Sequence, residues 1–351
     1  MNIHWEKHLI KSNTSIKEAL SKLNQLSLDA VLFVVDNKNK LVGSLTDGDV
    51  RRALITGASM ESPLLSFINN NPKSIVKSDY TINQIVDYRK KNLQLLPVVS
   101  ESGVIVNVIN FRRQESYLPI DALIMAGGKG TRLRPLTEAT PKPLLRVGNK
   151  PIIEHNLDRL HLFGIDDVWI SLNYLGNQIE DYLGNGFSRG QYINYVWENR
   201  PLGTLGAIKL IDNFKHDYVL ITNSDLLTKL NYEDFFLDFL EKDADMSVVT
   251  IPYKVNIPYA VLETQNNFVL SFREKPNYTY YSNGGIYLIK RELINSVPLN
   301  QFYNTTDLME KVIEEKGKLI SYPTHDYWLD IGRHDDYTKA CSDIQSISFD
   351  N

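Results

Sequence analysis

The chain predicts two parts: a small α+β segment, then an α/β domain built on a doubly wound, mostly parallel mixed sheet. Three observations carry this. From Asp121 onward, apolar strand-like runs alternate with helical stretches, the pattern that places helices on both faces of a sheet. Residues 1–115 run through one order of helix, strand, turn and strand twice, which predicts two copies packed on each other. An apolar run, Ala122-Leu123-Ile124-Met125-Ala126, enters Gly127-Gly128-Lys129-Gly130, and open sheets of this class bind ligands just past the ends of such strands.

In the first segment, Ser15 with Glu18 three residues on predicts a capped helix start. Ala30 to Val35 predicts a buried strand, Asp36-Asn37-Lys38-Asn39 a turn, and Leu41 to Leu45 a second strand, with a helix from Asp49 to Leu54. The second copy follows with a helix at Ile82 to Val86 and strands at Leu96 to Val99 and Val104 to Ile109. A short linker is expected at residues 116–120, around Gln114 to Pro119, and the second domain at 121–351. There the expected elements are a strand at Val168 to Ser171, a helix from Asn177, a strand at Tyr192 to Val196, a helix from Thr204 and a strand at Tyr218 to Thr222.

With 351 residues and 43% hydrophobic content, the chain is long enough for two cores. Its single cysteine, Cys341, excludes an internal disulfide framework and a cysteine-based metal site. The N-terminus lacks an apolar signal segment and no run approaches membrane-spanning length, so a cytoplasmic protein without membrane partners is expected. Residues 1–118 hold 15 Lys and Arg against 11 Asp and Glu, and the remainder holds 23 against 31. Neither balance calls for nucleic acid; the basic excess of the first part suits a small phosphorylated ligand or a solvated surface equally.

The glycine run carries the chemistry. Glycines without Cβ let backbone N–H groups close on an anion, and Arg132, Arg134 and the proline-clamped Lys142 add charge for phosphate oxygens. A Walker A loop is excluded because no Gly-x-x-x-x-Gly-Lys-Ser/Thr run occurs. The dinucleotide fingerprint is excluded because Leu133 stands where its third glycine belongs. Three phosphate-seeking cations close behind a glycine turn point to a triphosphate site.

Gly-Gly-x-Gly-Thr-Arg-Leu-x-Pro-Leu-Thr followed by Pro-Lys-Pro-Leu resembles the signature of sugar-1-phosphate nucleotidyltransferases, and the likeness extends over roughly residues 120–345. The resemblance implies a Rossmann-like, glycosyltransferase-A-like domain that joins an NTP to a sugar 1-phosphate with Mg²⁺. It places Arg132 and Lys142 in catalysis, and Ala126, Gly127, Gly128, Gly130 and Thr131 at the nucleotide. Pro201-Leu202-Gly203-Thr204-Leu205-Gly206-Ala207 resembles the family loop against the nucleobase and sugar, which adds Gly203 and Thr204. Asp225, after the strand ending at Thr222, and Asp330, in Trp328-Leu329-Asp330, match the family's metal-binding aspartates; two carboxylates at strand ends suit Mg²⁺. Asn223-Ser224-Asp225 departs mildly from the usual Gly-Asp. Glu274-Lys275-Pro276 and Asn283 match the sugar-phosphate contacts, while Ala260 replaces a customary glycine and narrows the expected hexose pocket.

Residues 1–115 resemble a tandem pair of CBS domains. Gly43-Ser44-Leu45-Thr46-Asp47-Gly48-Asp49 fits the family's nucleotide string, which implies an adenine nucleotide at Thr46 and Asp49. Capping of the next helix by the same two residues explains them equally well. Copy two carries Asn107-Val108-Ile109-Asn110-Phe111-Arg112-Arg113 instead, so at most one ordinary site is expected. Such pairs commonly dimerise, and a homodimer or higher oligomer is expected here. A CBS pair fused ahead of this transferase resembles the guanylyltransferases that make GDP-glucosamine for legionaminic-acid-type sugars. Mannose or heptose guanylyltransferases and UDP- or dTDP-sugar synthesis are the alternatives within the class. A nucleotide sensor on an inactive transferase is the alternative outside it, and it requires the loss of phosphate or metal residues that are all present.

Overall fold

The structure, a computed structural model, describes residues 5–347. The chain divides into two compact units. One comprises residues up to Pro119 with Leu160–Asp166 and Asn185–Tyr192; the other comprises Ile120–Arg159, Asp167–Gly184 and Ile193 onward.

The first unit contains β1 (Leu9–Lys11), α1 (Ile16–Leu26), β2 (Val31–Val35), β3 (Leu41–Thr46), α2 (Asp47–Ile55), β4 (Ile75–Val76), α3 (Ile82–Lys90), β5 (Leu95–Val99) and β6 (Ile105–Asn110). Its duplication is structural as well as sequential. In β1-β2-β3 and again in β4-β5-β6, the central strand pairs parallel with the strand before it and antiparallel with the strand after it. Phe33 and Val35 of one copy pack with Leu95, Val99, Ile105 and Val108 of the other. All three helices open on reciprocal caps, Ser15 with Glu18, Thr46 with Asp49 and Thr81 with Gln84, each satisfying backbone donors that a helix start leaves orphaned.

Much of the segment expected as a short linker is packed. Gln114, Ser116, Tyr117 and Leu118 are buried, and the Tyr117 ring lies 5.6 Å from that of Tyr80. Tyr117 and Leu118 are apolar enough to be drawn into a core.

The second unit contains β7 (Ile120–Met125), β8 (Arg146–Val147), β9 (Lys150–Pro151), α4 (Ile152–Leu162), β10 (Asp167–Leu172), α5 (Gly176–Leu183), β11 (Tyr192–Trp197), β12 (Tyr218–Asn223), β13 (Leu226–Thr228), α6 (Tyr232–Glu241), β14 (Met246–Asn256), β15 (Val261–Gln265), β16 (Phe268–Arg273), β17 (Asn277–Lys290), α7 (Thr305–Glu314), β18 (Leu319–Pro323), β19 (Trp328–Asp330) and α8 (His334–Ser346). The main sheet runs β11-β10-β7-β12-β17-β14-β18. β7 pairs parallel with β10 and β12, and β17 pairs antiparallel with β12 and β14, so the sheet is mixed. From β7 the chain builds outward to β10 and β11 on one side and later to β12 on the other. That reversal of strand order opens a crevice past the strand ends. Leu123, Ile221, Val248, Tyr287 and Ile289 form one buried cluster with Ile208 and Leu308; each such side chain contributes about 1.5–3 kcal/mol when fully buried.

The expected helix from Thr204 does not form. The chain makes only a short 3-10 turn at Gly206–Leu210, and the N–H groups of Leu205 and Gly206 at its start donate to the Tyr303 carbonyl. The described residues include no helix long and apolar enough to cross a membrane.

At the other end of the sheet, Asp121 is buried at the start of β7. Its Oδ2 accepts from the His216 N–H at 2.7 Å while Oδ1 has no hydrogen-bond partner. Burial, aided by nearby Asp167 and partly offset by His216, pushes its pKa up to about 6. A raised carboxyl pKa means that the folded chain holds the proton more tightly than the unfolded one. Stability is then highest below the ordinary carboxylate range and falls as pH climbs through about 6. Asp121→Asn keeps an acceptor for His216 and removes the buried charge. At pH 7.5 it is expected to stabilise the fold by roughly 2–3 kcal/mol, with the gain vanishing near pH 4. Denaturant melts at both pH values check this; an equal effect at both removes the explanation.

Candidate active site

The crevice at the strand ends is a cavity of about 470 Å³, whose lining includes Ala126, Gly127, Gly128, Gly130, Thr131, Arg132, Lys142, Gly203, Thr204 and Asp225. The volume lies within the range of small-molecule sites. β7 and β12 end flush, with Asn223 beside Met125, so the glycine turn leaving β7 and the segment carrying Asp225 leave the sheet side by side.

Gly127 and Gly130 have steric reasons to lack a side chain. A Cβ on Gly127 would lie 2.9 Å from Glu198 Oε1, and one on Gly130 would lie 3.2 Å from Lys142 Cβ. Gly130 also holds φ +59°, the left-handed conformation that favours glycine. Gly128 faces open space. Only a 3-10 turn, Thr131–Leu133, follows, so no long helix starts behind the glycines.

Apolar residues next to the polar ones anchor the site. Leu133, Leu145, Leu227 and Ile331 share one buried cluster, which fixes the backbone beside Arg132, Lys142, Asp225 and Asp330. Lys142 sits in a tight turn closed by Leu144 N–H on the Pro141 carbonyl at 2.9 Å. The two aspartates, far apart in the chain, meet through the β13–β19 ribbon: Leu226 is in register with Asp330, and Ile331 N–H donates to the Asp225 carbonyl at 3.0 Å.

Lys142 Nζ is ion-paired with Asp225 Oδ2 and lies 3.9 Å from Asp330 Oδ1. Burial and the neighbouring Asp225 charge push the Asp330 pKa up to about 6, against the pull of Lys142 and Arg132. Oδ1 of each aspartate is buried without a hydrogen-bond partner. Two unsatisfied carboxylate oxygens sharing one spot fit a hard divalent cation, which takes one or two carboxylates and completes its shell with phosphate and water. Among the described residues no three or more His, Cys, Asp or Glu side chains gather to hold a metal, so the aspartate pair alone would leave the rest of the shell to phosphate and water.

Three expected contacts lie elsewhere. Glu274 and Lys275 are exposed between β16 and β17, and Asn283 is exposed on β17 with Oδ1 accepting from Gly285 N–H at 2.9 Å; none of the three lines the cavity. Gly203 and Gly206 also have a different first purpose. Added Cβ atoms would lie 2.6 Å from the Tyr303 and Gln301 carbonyls, so these glycines admit a protein segment before any ligand. Thr46 and Asp49 cap α2, with Thr46 Oγ1 donating to Asp49 Oδ2 at 2.7 Å and Arg52 pairing with Asp49.

Glu198 escaped the sequence reading. It is buried in the cavity wall, where its Oε2 accepts from Leu202 N–H at 3.0 Å. Burial raises its pKa, while bonds from Leu202 N–H and Ser171 act the other way. The available signal was a carboxylate directly after the β11 strand, the same signal that marked Asp225. A second groove, about 600 Å³, lies at the far end of β12. Its Arg291 and Lys290 are paired with Asp217 and Asp245, so these two cations are partnered within the protein.

The profile described as "Nucleotidyl transferase" matches residues 121–347, and that of the CBS domain matches residues 8–56, the first of the two structural copies. A D-glycero-alpha-D-manno-heptose 1-phosphate guanylyltransferase from Aneurinibacillus thermoaerophilus is 33% identical, covering 64% of this chain and 99% of its own length. A UTP–glucose-1-phosphate uridylyltransferase from a Synechocystis strain is 30% identical, covering 66% of this chain and 64% of its own length. The chain thus spans the whole of the first relative but less than two thirds of the second. A solved Bacillus anthracis structure, provisionally assigned as a glucose-1-phosphate thymidylyltransferase, shares the fold with a TM-score of 0.53 at 24% identity, over 65% of this chain and 96% of that one. With well over half its length matched, the chain belongs to the nucleotidyl transferase family.

Proposed function

We propose that the protein transfers a nucleotidyl group from an NTP, preferentially GTP, to a sugar 1-phosphate and releases pyrophosphate. The observation that carries this is the convergence of the glycine turn, Arg132, Lys142 and Asp225 on one cavity, with Asp330 beside them at 3.9 Å from Lys142 Nζ. The attacking oxygen of a sugar 1-phosphate is already anionic, so no general base is required. Positioning and neutralisation of phosphate charge supply the rate. Arg132 and Lys142 act on the triphosphate, and the backbone of Gly128 leaves room for it. Asp225 and Asp330 would hold Mg²⁺, which when bound would neutralise charge shared by the α-phosphate and the incoming phosphate. Glu274, Lys275 and Asn283 are assigned to the sugar phosphate on family resemblance alone.

Glu198 supports guanine. A buried carboxylate accepts from paired donors, which the N1–H and N2 amino edge of guanine presents and uracil or thymine does not. Glu198→Gln is expected to lower kcat/KM for GTP by about 10- to 100-fold, with less effect on UTP. The heptose guanylyltransferase likeness agrees with guanine; the order of CBS pair and transferase points to glucosamine 1-phosphate, for nonulosonic (legionaminic) acid or surface-glycan synthesis. Purified protein given each NTP with glucosamine, mannose, heptose or glucose 1-phosphate, coupled to pyrophosphatase, tests both choices. Equal use of UTP by the wild type, or unchanged base preference in Glu198→Gln, overturns the guanine assignment. We also assign an adenine nucleotide to Thr46 and Asp49 as a regulator, tested by AMP and ATP binding and by their effect on rate.

A further inference from the structure

The loop that follows Glu198 is pinned to the segment leading into α7. Tyr303 N–H donates to the Leu202 carbonyl at 2.9 Å, and the Tyr303 carbonyl accepts from Leu205 and Gly206 N–H at 2.9 and 3.0 Å. Asn304 Oδ1 accepts from Thr204 N–H at 3.2 Å, and Thr204 Oγ1 accepts from Thr305 N–H at 3.0 Å. On the other side, the Arg200 guanidinium donates to the Asn300 carbonyl. Bonds before and after it therefore hold the backbone that carries Phe302.

Phe302 itself is 63% exposed, yet it lines the active-site cavity and is the one aromatic residue of that lining among the described residues. Burying a phenyl ring is a large gain for a core, and a ring kept in water on a fixed backbone forgoes most of it. Its use then lies in what enters the cavity. Leu202 fixes where along the cavity it stands. The Leu202 N–H donates to Glu198 Oε2 at 3.0 Å, while the Leu202 carbonyl takes the N–H of Tyr303, the residue next to Phe302. Phe302 thus belongs to the Glu198 side, whereas Arg132 and Lys142 come from the turns that serve the phosphates.

We propose that Phe302 is a nucleotide-binding residue whose ring stacks on the face of the base whose edge Glu198 takes. The assignment rests on the nucleotidyl transfer proposed for this cavity. A planar base that leaves water needs partners for its faces as well as its edge, and aromatic side chains supply them. Stacking is blind to base identity because every base has a π-face, so Phe302 adds affinity while Glu198 adds choice.

Calorimetric titration of the full-length protein with GTP and Mg²⁺ tests this, with sugar phosphate left out so that no turnover intervenes. Phe302→Ala and Phe302→Leu are expected to weaken GTP binding by about 5- to 100-fold, and Phe302→Tyr to restore it. Inorganic tripolyphosphate, which carries charge but no base, is expected to bind the wild type and Phe302→Ala alike. Unchanged GTP affinity in Phe302→Ala, wild-type affinity in Phe302→Leu, or an equal loss for GTP and tripolyphosphate overturns the proposal. A raised KM for the sugar 1-phosphate with GTP affinity intact puts the ring on the acceptor and overturns it too. A wild type that binds no NTP refutes the transferase function and this proposal with it, a result distinguishable from each of the others.

Discussion

Asp225→Asn is expected to lower turnover by about 10³-fold or more while leaving the fold intact, and Asp330→Asn to do the same. Holding a divalent cation at the reacting phosphates accounts for several kcal/mol of charge stabilisation, and each 1.36 kcal/mol is about a factor of ten. Asparagine keeps the side chain's shape and an oxygen for Lys142, and neutralising either aspartate relieves the repulsion that raises the Asp330 pKa. The ribbon that joins the two segments is held by backbone bonds and by Leu227 and Ile331, none of which the substitution touches. Pyrophosphate release under saturating NTP, Mg²⁺ and sugar phosphate measures the loss, and thermal melts verify folding. Appreciable turnover in both variants would falsify the metal assignment.

Lys142→Ala is expected to reduce kcat by about 10²-fold or more, with a smaller change in KM for the NTP. Lys142 reaches the carboxylate pair from a turn whose position is fixed by Pro141, Pro143 and the close approach of Gly130. A rigidly presented charge stabilises developing charge without reorganising. Lys142→Arg should recover only part of the rate, since a forked, planar cation does not fit a place shaped for an ammonium packed against Gly130. Rates equal to the wild type in Lys142→Ala would leave the lysine as a structural counter-ion to Asp225 alone.

Features that depend on a few neighbouring residues were readable in the chain. The caps at Ser15 and Thr46, the strand entering Gly127 and the strand ending near Asn223 all appear where local pattern places them. The two-copy organisation of the first part was readable for the same reason, because a repeated hydrophobic order folds twice into the same three-stranded unit. Local pattern did not decide everything. Gly206 has an ordinary helix-entry sequence around it, yet the segment forms only a 3-10 turn, docked through its first N–H groups on the Tyr303 carbonyl. Glu198 went unnoticed since a lone carboxylate after a strand acquires meaning only from what surrounds it.

By itself, the order of residues determined the α/β alternation, the chemistry of the glycine turn and the identity of the charged groups, since these rest on backbone preference and side-chain type over short spans. Tertiary structure alone decided which of those groups meet. It joined Asp225 to Asp330 through the β13–β19 ribbon and put Glu198 into the cavity wall, whose lining does not include Glu274, Lys275 or Asn283. Distances between residues remote in the chain follow from how strands pair and apolar clusters close, and no local spacing encodes them.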